Sequence, residues 1–471
     1  MILVLEASTA SAKAMVYCPE NGVQREVTRP YKANSSDVAT QDAGQVLQAV
    51  LETGRQAAAG FPIEAISLCS IWHSLLLCDR DGSPASPIYT WADVSASGIT
   101  AEMMDDPAKV DFFYRTSGCM VHAMYPLYKL MLLNRQGVKL ADKQVFCQGS
   151  YLFYQLTGQR KTSASIVSGA SLLNIHEKRY ATELFDDTGI REEQLPPLGE
   201  LTETMPLTRE AAGWLGVREG IPVTLPYPDG GLNQVGAGAL QEGIMTLSVG
   251  TSGALRVVAE KPVLAENRAT WCYVAPGAWL SGAATASATS CVDWLRGGLF
   301  KNAMTYGEME QGIVFSPNLP YFMPYLNGER CPGWRDERRA CFSRMDAGDD
   351  AHALYYAVLE GVLFNLWQCY HEIVKINGAP KLIRVSGGVC KSPFWLQMLA
   401  DIWQREVATA DIAQASMLGA AAVGLLVTGH MDSLHAFQPE DHMIQPNPEM
   451  GEFYQKRFEG WLGVYEQTTG L

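Results

Sequence analysis

One plan occurs twice along this chain: an apolar run, a turn of small hydroxyl-bearing residues, then a second apolar run. In the first copy, residues 2–5 lead through Glu6-Ala7-Ser8-Thr9-Ala10-Ser11-Ala12-Lys13 into residues 14–17, and Asn21-Gly22 marks a turn after them. In the second, residues 244–249 lead through Gly250-Thr251-Ser252-Gly253 into an apolar run ending near 258. Apolar runs of this length joined by Gly, Ser and Thr read as strands and tight turns. Carrying the plan once in each half fits a duplicated α/β architecture, with the two turns facing each other across a cleft. The length of 471 residues agrees, since it exceeds what one core ordinarily organises. The boundary is expected near residue 240, dividing an N-terminal unit, 1–240, from a C-terminal unit, 241–471.

Just before the second copy stands a carboxylate among small residues. Asp229 is expected in a loop with Pro226, Pro228, Gly230 and Gly231, where glycines clear bulk and prolines fix the backbone. A Gly-Thr-Ser-Gly turn after a buried strand can aim backbone N–H groups and hydroxyls at a phosphate. Ser8, Thr9, Ser11 and the Lys13 ammonium offer the same chemistry in the first turn. A carboxylate base close in sequence to a phosphate cradle suggests phosphoryl transfer to a hydroxyl. Ordinary hairpins would carry the same turn residues.

The net charge of −14 makes a nucleic acid backbone an unsuitable partner. Eleven scattered cysteines without a C-x-x-C pair argue for a reducing cytoplasm and against a disulfide framework. The opening residues MILVLEAST hold Glu6 within their apolar stretch and read as a strand, not a signal peptide. No uncharged apolar run reaches the ~18 residues of a membrane span, so none is expected.

Helical spacing is read at 41–54, after Pro126, at 148–156 closed by Gly158, at 291–296, 354–373, 416–426 and 450–466. Residues 65–70, 75–78 and 383–386 read as strands, and 183–220 as a surface excursion. His73, between Trp72 and Ser74, is either a hydrogen-bonding ligand group or a satisfied structural histidine. Trp91 with Asp93 suits a sugar, though ordinary surface or core explains both. Glu329-Arg330 reads as a structural ion pair or cap, with substrate contact the other reading. Gly387-Gly388 at a strand end, with Ser392 and a helix after it, stands where an open α/β sheet binds a nucleotide.

Together these motifs resemble the FGGY carbohydrate kinases, and among them the gluconate kinases. Residues 5–14 are similar to the family's first phosphate motif. SVGTSGALR at 248–256 is a near match to the second, and GGVCKSPFWLQMLAD at 387–401 to a later signature. His73-Ser74-Leu75, Thr90-Trp91-Ala92-Asp93, 118–127 and 324–334 resemble further segments, so the likeness spans residues 2 to about 428. The resemblance implies a two-domain ribonuclease-H-like, actin-like α/β fold with the site in the interdomain cleft. It implies ATP-dependent phosphorylation of a sugar acid, ketose or polyol with Mg²⁺, a gluconate-like substrate being favoured. Asp229 would be the catalytic base. Thr9, Ser11, Lys13, Gly250 and Thr251 would hold nucleotide phosphates, and Gly387, Gly388 and Ser392 would border the adenosine. His73, Ser74, Asp93 and Gly230 would sit near the carbohydrate, and Glu6 and Asp229 near the metal. A homodimer is the default assembly.

The chain departs from the family pattern near phosphate and substrate. Glu6 and Ser8 stand where aspartate and glycine are usual, Ser95 where arginine is common, and Tyr227-Pro228 where a Gly/Ala pair precedes the base. Ala286-Ser287-Ala288 replaces an Asn-Asn-Gly segment. These changes motivate an alternative, a kinase-fold regulator that binds sugar or nucleotide with little catalysis. An actin-like ATPase would share the architecture but leave the segments near His73 and Asp93 unexplained.

Overall fold

Residues 2–7 are buried without exception, which is why this strand reads as a continuous apolar run: both faces of its sheet are covered. The computed structural model describes residues 1–31, 38–410 and 414–468. It contains two large sheets. The first holds β1 (Ile2–Ala7), β2 (Ser11–Cys18), β3 (Gly22–Pro30), β4 (Ala65–Ser70), β5 (Thr204–Pro206) and β6 (Pro222–Pro228), in the order β5-β6-β4-β1-β2-β3. The second holds β7 (Ile244–Val249), β8 (Gly253–Ala259), β9 (Trp271–Ala275), β10 (Ala278–Thr285), β11 (Leu382–Ser386), β12 (Val407–Ala410) and β13 (Asp441–Ile444), in the order β9-β10-β8-β7-β11-β12-β13.

The internal repeat is visible in the pairing. In each sheet a central strand, β1 or β7, is antiparallel to its hairpin partner, β2 or β8. On its other side it is parallel to β4 or β11, which is in turn parallel to β6 or β12. β3 carries Gln24, Arg25, Glu26 and Arg29 along the outer edge, and such charges discourage further strand pairing.

The sheets are joined by helices whose small residues let backbones meet. The helices used below are α1 (Ala43–Ala58), α2 (Pro126–Arg135), α3 (Gln148–Thr157), α4 (Asp229–Gly236), α5 (Ala351–Asn377), α6 (Pro393–Trp403), α7 (Ala415–Val427) and α8 (Gly451–Gln467). α4 follows the first sheet and packs on α7, which follows the second. A Cβ on Gly236 would lie 1.9 Å from the Ala415 carbonyl oxygen, and one on Gly419 2.0 Å from that of Leu232. Only glycine permits this approach. A second seam is made by β9, where the Cys272 N–H donates to the Gly118 carbonyl at 2.8 Å and the Val274 N–H to Ser168 Oγ at 2.9 Å.

Three local expectations change. Asp229 begins helix α4 and is not in a loop; packing against α7 overrides the poor helix propensity of Gly230 and Gly231. The helix expected at 291–296 is Thr289–Asp293 continued by a wider π-turn, Trp294–Leu299. The excursion at 183–220 contributes β5 and a helix, Arg209–Leu215. The eleven cysteines are all unpaired, and among the described residues no helix is long and apolar enough to cross a membrane.

Candidate active site

The parallel strands of the first sheet end level with one another. Glu6 and Tyr227 both stand opposite Cys69, and Pro228 stands opposite Ser70, so Asp229 emerges at the carboxyl edge beside Glu6. Ligands of open α/β sheets bind beyond this edge. Asp229 is half-buried, and its Oδ1 accepts the Gly230 N–H at 2.7 Å. Burial pushes its carboxyl up to about 6, and Glu6 pushes the same way, while the Gly230 N–H, Arg256 and Lys13 oppose them. A carboxylate poised near neutrality is suited to accept a proton.

Asp229 opens into a cavity of about 100 Å³ lined from both halves of the chain. Trp72, His73 and Trp91 come from the first half, and Arg256, Trp271 and Tyr273 from the second. The rings form a wall: Trp271 stacks on Tyr273 at 4.1 Å and Trp72 lies 5.1 Å from Tyr273. The turn residues Ser252 and Gly253 line the same cavity. A larger chamber of about 440 Å³ adjoins it, sharing Trp91 and Arg330, and adds Ala92, His122, Asn327 and Arg339. Gly230 has no room for a side chain, since a Cβ would meet the Trp72 ring at 2.4 Å.

The first turn is tied to the carboxylates. Lys13 Nζ donates to Glu6 Oε1 at 2.8 Å, and Ser416 Oγ, from the start of α7, donates to Glu6 Oε2 at 2.8 Å. Burial pulls the Lys13 ammonium down, but Glu6 reverses this and the net shift is upward. Thr9 Oγ1 accepts from Trp91 Nε1 at 3.0 Å, and Ser11 Oγ shares a hydrogen bond with Ser8 Oγ at 3.1 Å. In the second sheet, Ser248 pairs level with Ser386, so the turn at Gly250 and Thr251 lies beside that at Gly387 and Gly388. Gly387 has φ +96°, and a Cβ there would fall 2.5 Å from the Val249 carbonyl oxygen. Thr251 is exposed, and its carbonyl accepts the Ala288 N–H at 2.9 Å. Ser392 caps α6: its hydroxyl accepts the Trp395 N–H at 3.0 Å and donates to Glu310 at 2.8 Å.

The expected carbohydrate residues separate. His73 lines the Asp229 cavity, and its Nδ1 faces the Gly169 carbonyl, which requires the proton on Nδ1 and leaves Nε2 an acceptor. Burial first, then Arg330, holds this imidazole well below its usual range and therefore neutral. Ser74 Oγ accepts the Gln148 N–H at the start of α3. Asp93 accepts from the Ser95 N–H and hydroxyl at 3.1 and 3.0 Å, and Lys129 Nζ, on α2, lies 3.7 Å away. Burial lowers the Lys129 ammonium to about 8, against the pull of Asp93. Asp93 therefore anchors the segment whose neighbours Trp91, Ala92 and Val94 line the outer chamber.

Two cavity-lining residues stand outside the set that the sequence assigned to the site. Arg256 closes the SVGTSGALR stretch, and alternation along β8 was a signal that it shares a face with Ala254. Arg330 was expected in a structural ion pair or cap with Glu329, with substrate contact as the other reading. Instead Glu329 pairs with Arg338 at 3.0 Å and accepts from Tyr465 at 2.7 Å, on α8, while Arg330 turns to both chambers. Arg256 Nε and Nη1 and Arg330 Nε are enclosed without a hydrogen-bond partner among the described residues.

Residues 1–236 match the N-terminal domain, and residues 245–427 the C-terminal domain, of the FGGY family of carbohydrate kinases. The chain is similar to a gluconokinase of Bacillus subtilis (strain 168), 27% identical over 457 residues that cover 92% of this chain and 89% of the relative. It is also similar to a xylulose kinase of Lactococcus lactis subsp. lactis (strain IL1403), 27% identical over 88% of this chain and 84% of the relative. The crystal structure of gluconate kinase from Lactobacillus acidophilus superposes with a TM-score of 0.92 at 26% identity, covering 99% of this chain and 97% of that one.

Proposed function

Because the chain belongs to the FGGY family of carbohydrate kinases, we propose that it transfers the terminal phosphoryl group of ATP to a hydroxyl of a sugar acid, ketose or polyol, a gluconate-like acid being favoured. One observation carries this reading: Asp229 and the turn residues Ser252 and Gly253 line a single cavity. A proton acceptor and a phosphate-binding turn are thereby within reach of the same reacting centre. The Bacillus and Lactobacillus relatives, a gluconokinase and a gluconate kinase, support the acid. We put the division between the lobes near residue 240, a reading supported by the matched segments, 1–236 and 245–427.

Asp229 accepts the proton of the attacking hydroxyl as the phosphoryl group arrives. Gly230 donates to Asp229 and holds the carboxylate in line. Thr9, Ser11, Lys13, Gly250 and Thr251 hold the phosphates, and Gly387 and Gly388 border the adenosine. The aromatic wall keeps water from competing with the acceptor. The acids present fit Mg²⁺ carried on a nucleotide. Glu6 and Asp229 act electrostatically on one another, and among the described residues no group of three His, Cys, Asp or Glu forms an all-protein cage. Bound there, the ion would neutralise phosphate charge, with Glu6 and Asp229 as its holders.

A screen of aldonates, ketoses and polyols with ATP and Mg²⁺, read by ADP release, tests the proposal. Acceptor-dependent ADP that disappears in Asp229→Asn is expected. Stabilisation by sugar or ATP without ADP release would instead favour the binding regulator, and full turnover by Asp229→Asn would remove the assigned base.

A further inference from the structure

The enclosed nitrogens of Arg256 and Arg330 are donors without an acceptor among the described residues. Burial pulls the Arg256 guanidinium down to about 10, and the carboxylate acting on it is Asp229. Asp229 acts on Arg256 through space, yet the enclosed Arg256 nitrogens have no hydrogen-bond partner in it or in any other described residue. Glu329, the chain neighbour of Arg330, is engaged by Arg338. Asp336, across the outer chamber, is engaged by His122 at 2.7 Å. Enclosed charged donors without acceptors are costly and are kept where a ligand supplies the acceptor.

The placement of Arg330 distinguishes which ligand. It lies where the Asp229 cavity meets the outer chamber, and that chamber contains no residue of the Ser252-Gly253 turn. It therefore stands on the acceptor's side of the reaction. A neutral polyol brings hydroxyl oxygens, which accept hydrogen bonds but leave the positive charge uncompensated. A carboxylate brings two coplanar anionic oxygens that match the guanidinium fork.

We propose that Arg330, with Arg256 beside it, seats the carboxylate of an open-chain sugar acid whose far hydroxyl meets Asp229, making an aldonate the preferred acceptor over the neutral polyol of equal length. This rests on the reading of the Asp229 cavity as the acceptor site. Arg330 is a specificity residue; it takes no part in the proton transfer.

The test compares gluconate with glucitol, which differs by a carboxylate against a CH₂OH. The wild-type protein, Arg330→Met and Arg330→Lys are measured for kcat/KM with each acceptor, for basal ATP hydrolysis, and for thermal stabilisation by gluconate alone. The expected result is a fall in the gluconate-to-glucitol ratio of roughly 10- to 100-fold in Arg330→Met, the scale of a charge-assisted hydrogen bond. The loss should sit mainly in KM, with partial recovery in Arg330→Lys. Gluconate stabilisation should vanish in Arg330→Met while ATP stabilisation persists, which also shows that the variant is folded. An unchanged ratio, or a wild-type protein indifferent to the carboxylate, overturns the proposal and leaves the kinase reading standing. Parallel loss with both acceptors and in basal ATP hydrolysis also overturns it, by moving the guanidinium to the nucleotide phosphates. Arg330-dependent gluconate binding without turnover of any acceptor would support the seat and sink the kinase reading instead.

Discussion

Asp229→Asn should stabilise the protein at neutral pH while stopping phosphoryl transfer. The ionised carboxylate is held in a partly enclosed site beside Glu6, and its ionisation is displaced upward from 3.8 to about 6. Each tenfold change in that equilibrium is about 1.4 kcal/mol, so the charged form costs the fold about 3 kcal/mol at pH values above both limits. The figure already includes the attraction of Arg256 and Lys13, which oppose the shift. Below the unfolded value the group is protonated in both states and the cost is absent. Between the two values the unfolded chain ionises first, so stability declines as pH rises, and above about 6 the full cost is present. Asparagine keeps the shape of the neutral acid and escapes that cost. At about 2 cal/mol/K per residue, unfolding 471 residues carries about 1 kcal/mol/K, which converts the gain to about 3 °C. Thermal denaturation of both proteins at pH 8 and near pH 4 is the assay. A variant no more stable than wild type at pH 8, or a gap that persists unchanged at pH 4, would refute the electrostatic reasoning.

Further outcomes follow from the same geometry. The kcat/KM of the free enzyme should fall about tenfold per pH unit below about 6, because protonated Asp229 cannot accept the hydroxyl proton; a profile flat to pH 5 would exclude it as the base. Gly236→Ala should destabilise by about 1–3 kcal/mol or more and impair turnover, since its Cβ collides with the Ala415 carbonyl and pushes α4 off α7. Gly213→Ala, at an exposed position of the helix Arg209–Leu215 with nothing within 4 Å of the new Cβ, is the control and should gain up to about 1 kcal/mol. Denaturation midpoints of the two variants check the contrast.

Much of the fold was legible because local pattern and local structure agree. The strands at 65–70 and 244–249 occupy the expected residues, and Gly158 closes α3 in the left-handed conformation its position suggested. The family resemblance read from 248–256 and 387–401 is borne out by the matches to both halves, and the two-lobed fold by the Lactobacillus structure. α4 was not legible, because its glycines signal a turn and the helix exists through what it packs against.

What the chain determined by itself was the repeated strand-turn-strand plan and the residue types at the sheet edges, since periodicity and turn chemistry act between covalent neighbours. Only the tertiary structure decided which groups are left free. Asp93 and Ser74 are taken up by Lys129, Ser95 and the start of α3, and Ser392 by Glu310. Glu329 chooses Arg338, nine positions away, over its neighbour Arg330. Charge pairing is settled by distance and burial in space, so a guanidinium that looked structural in sequence keeps an enclosed nitrogen without a partner among the described residues, at the mouth of the site.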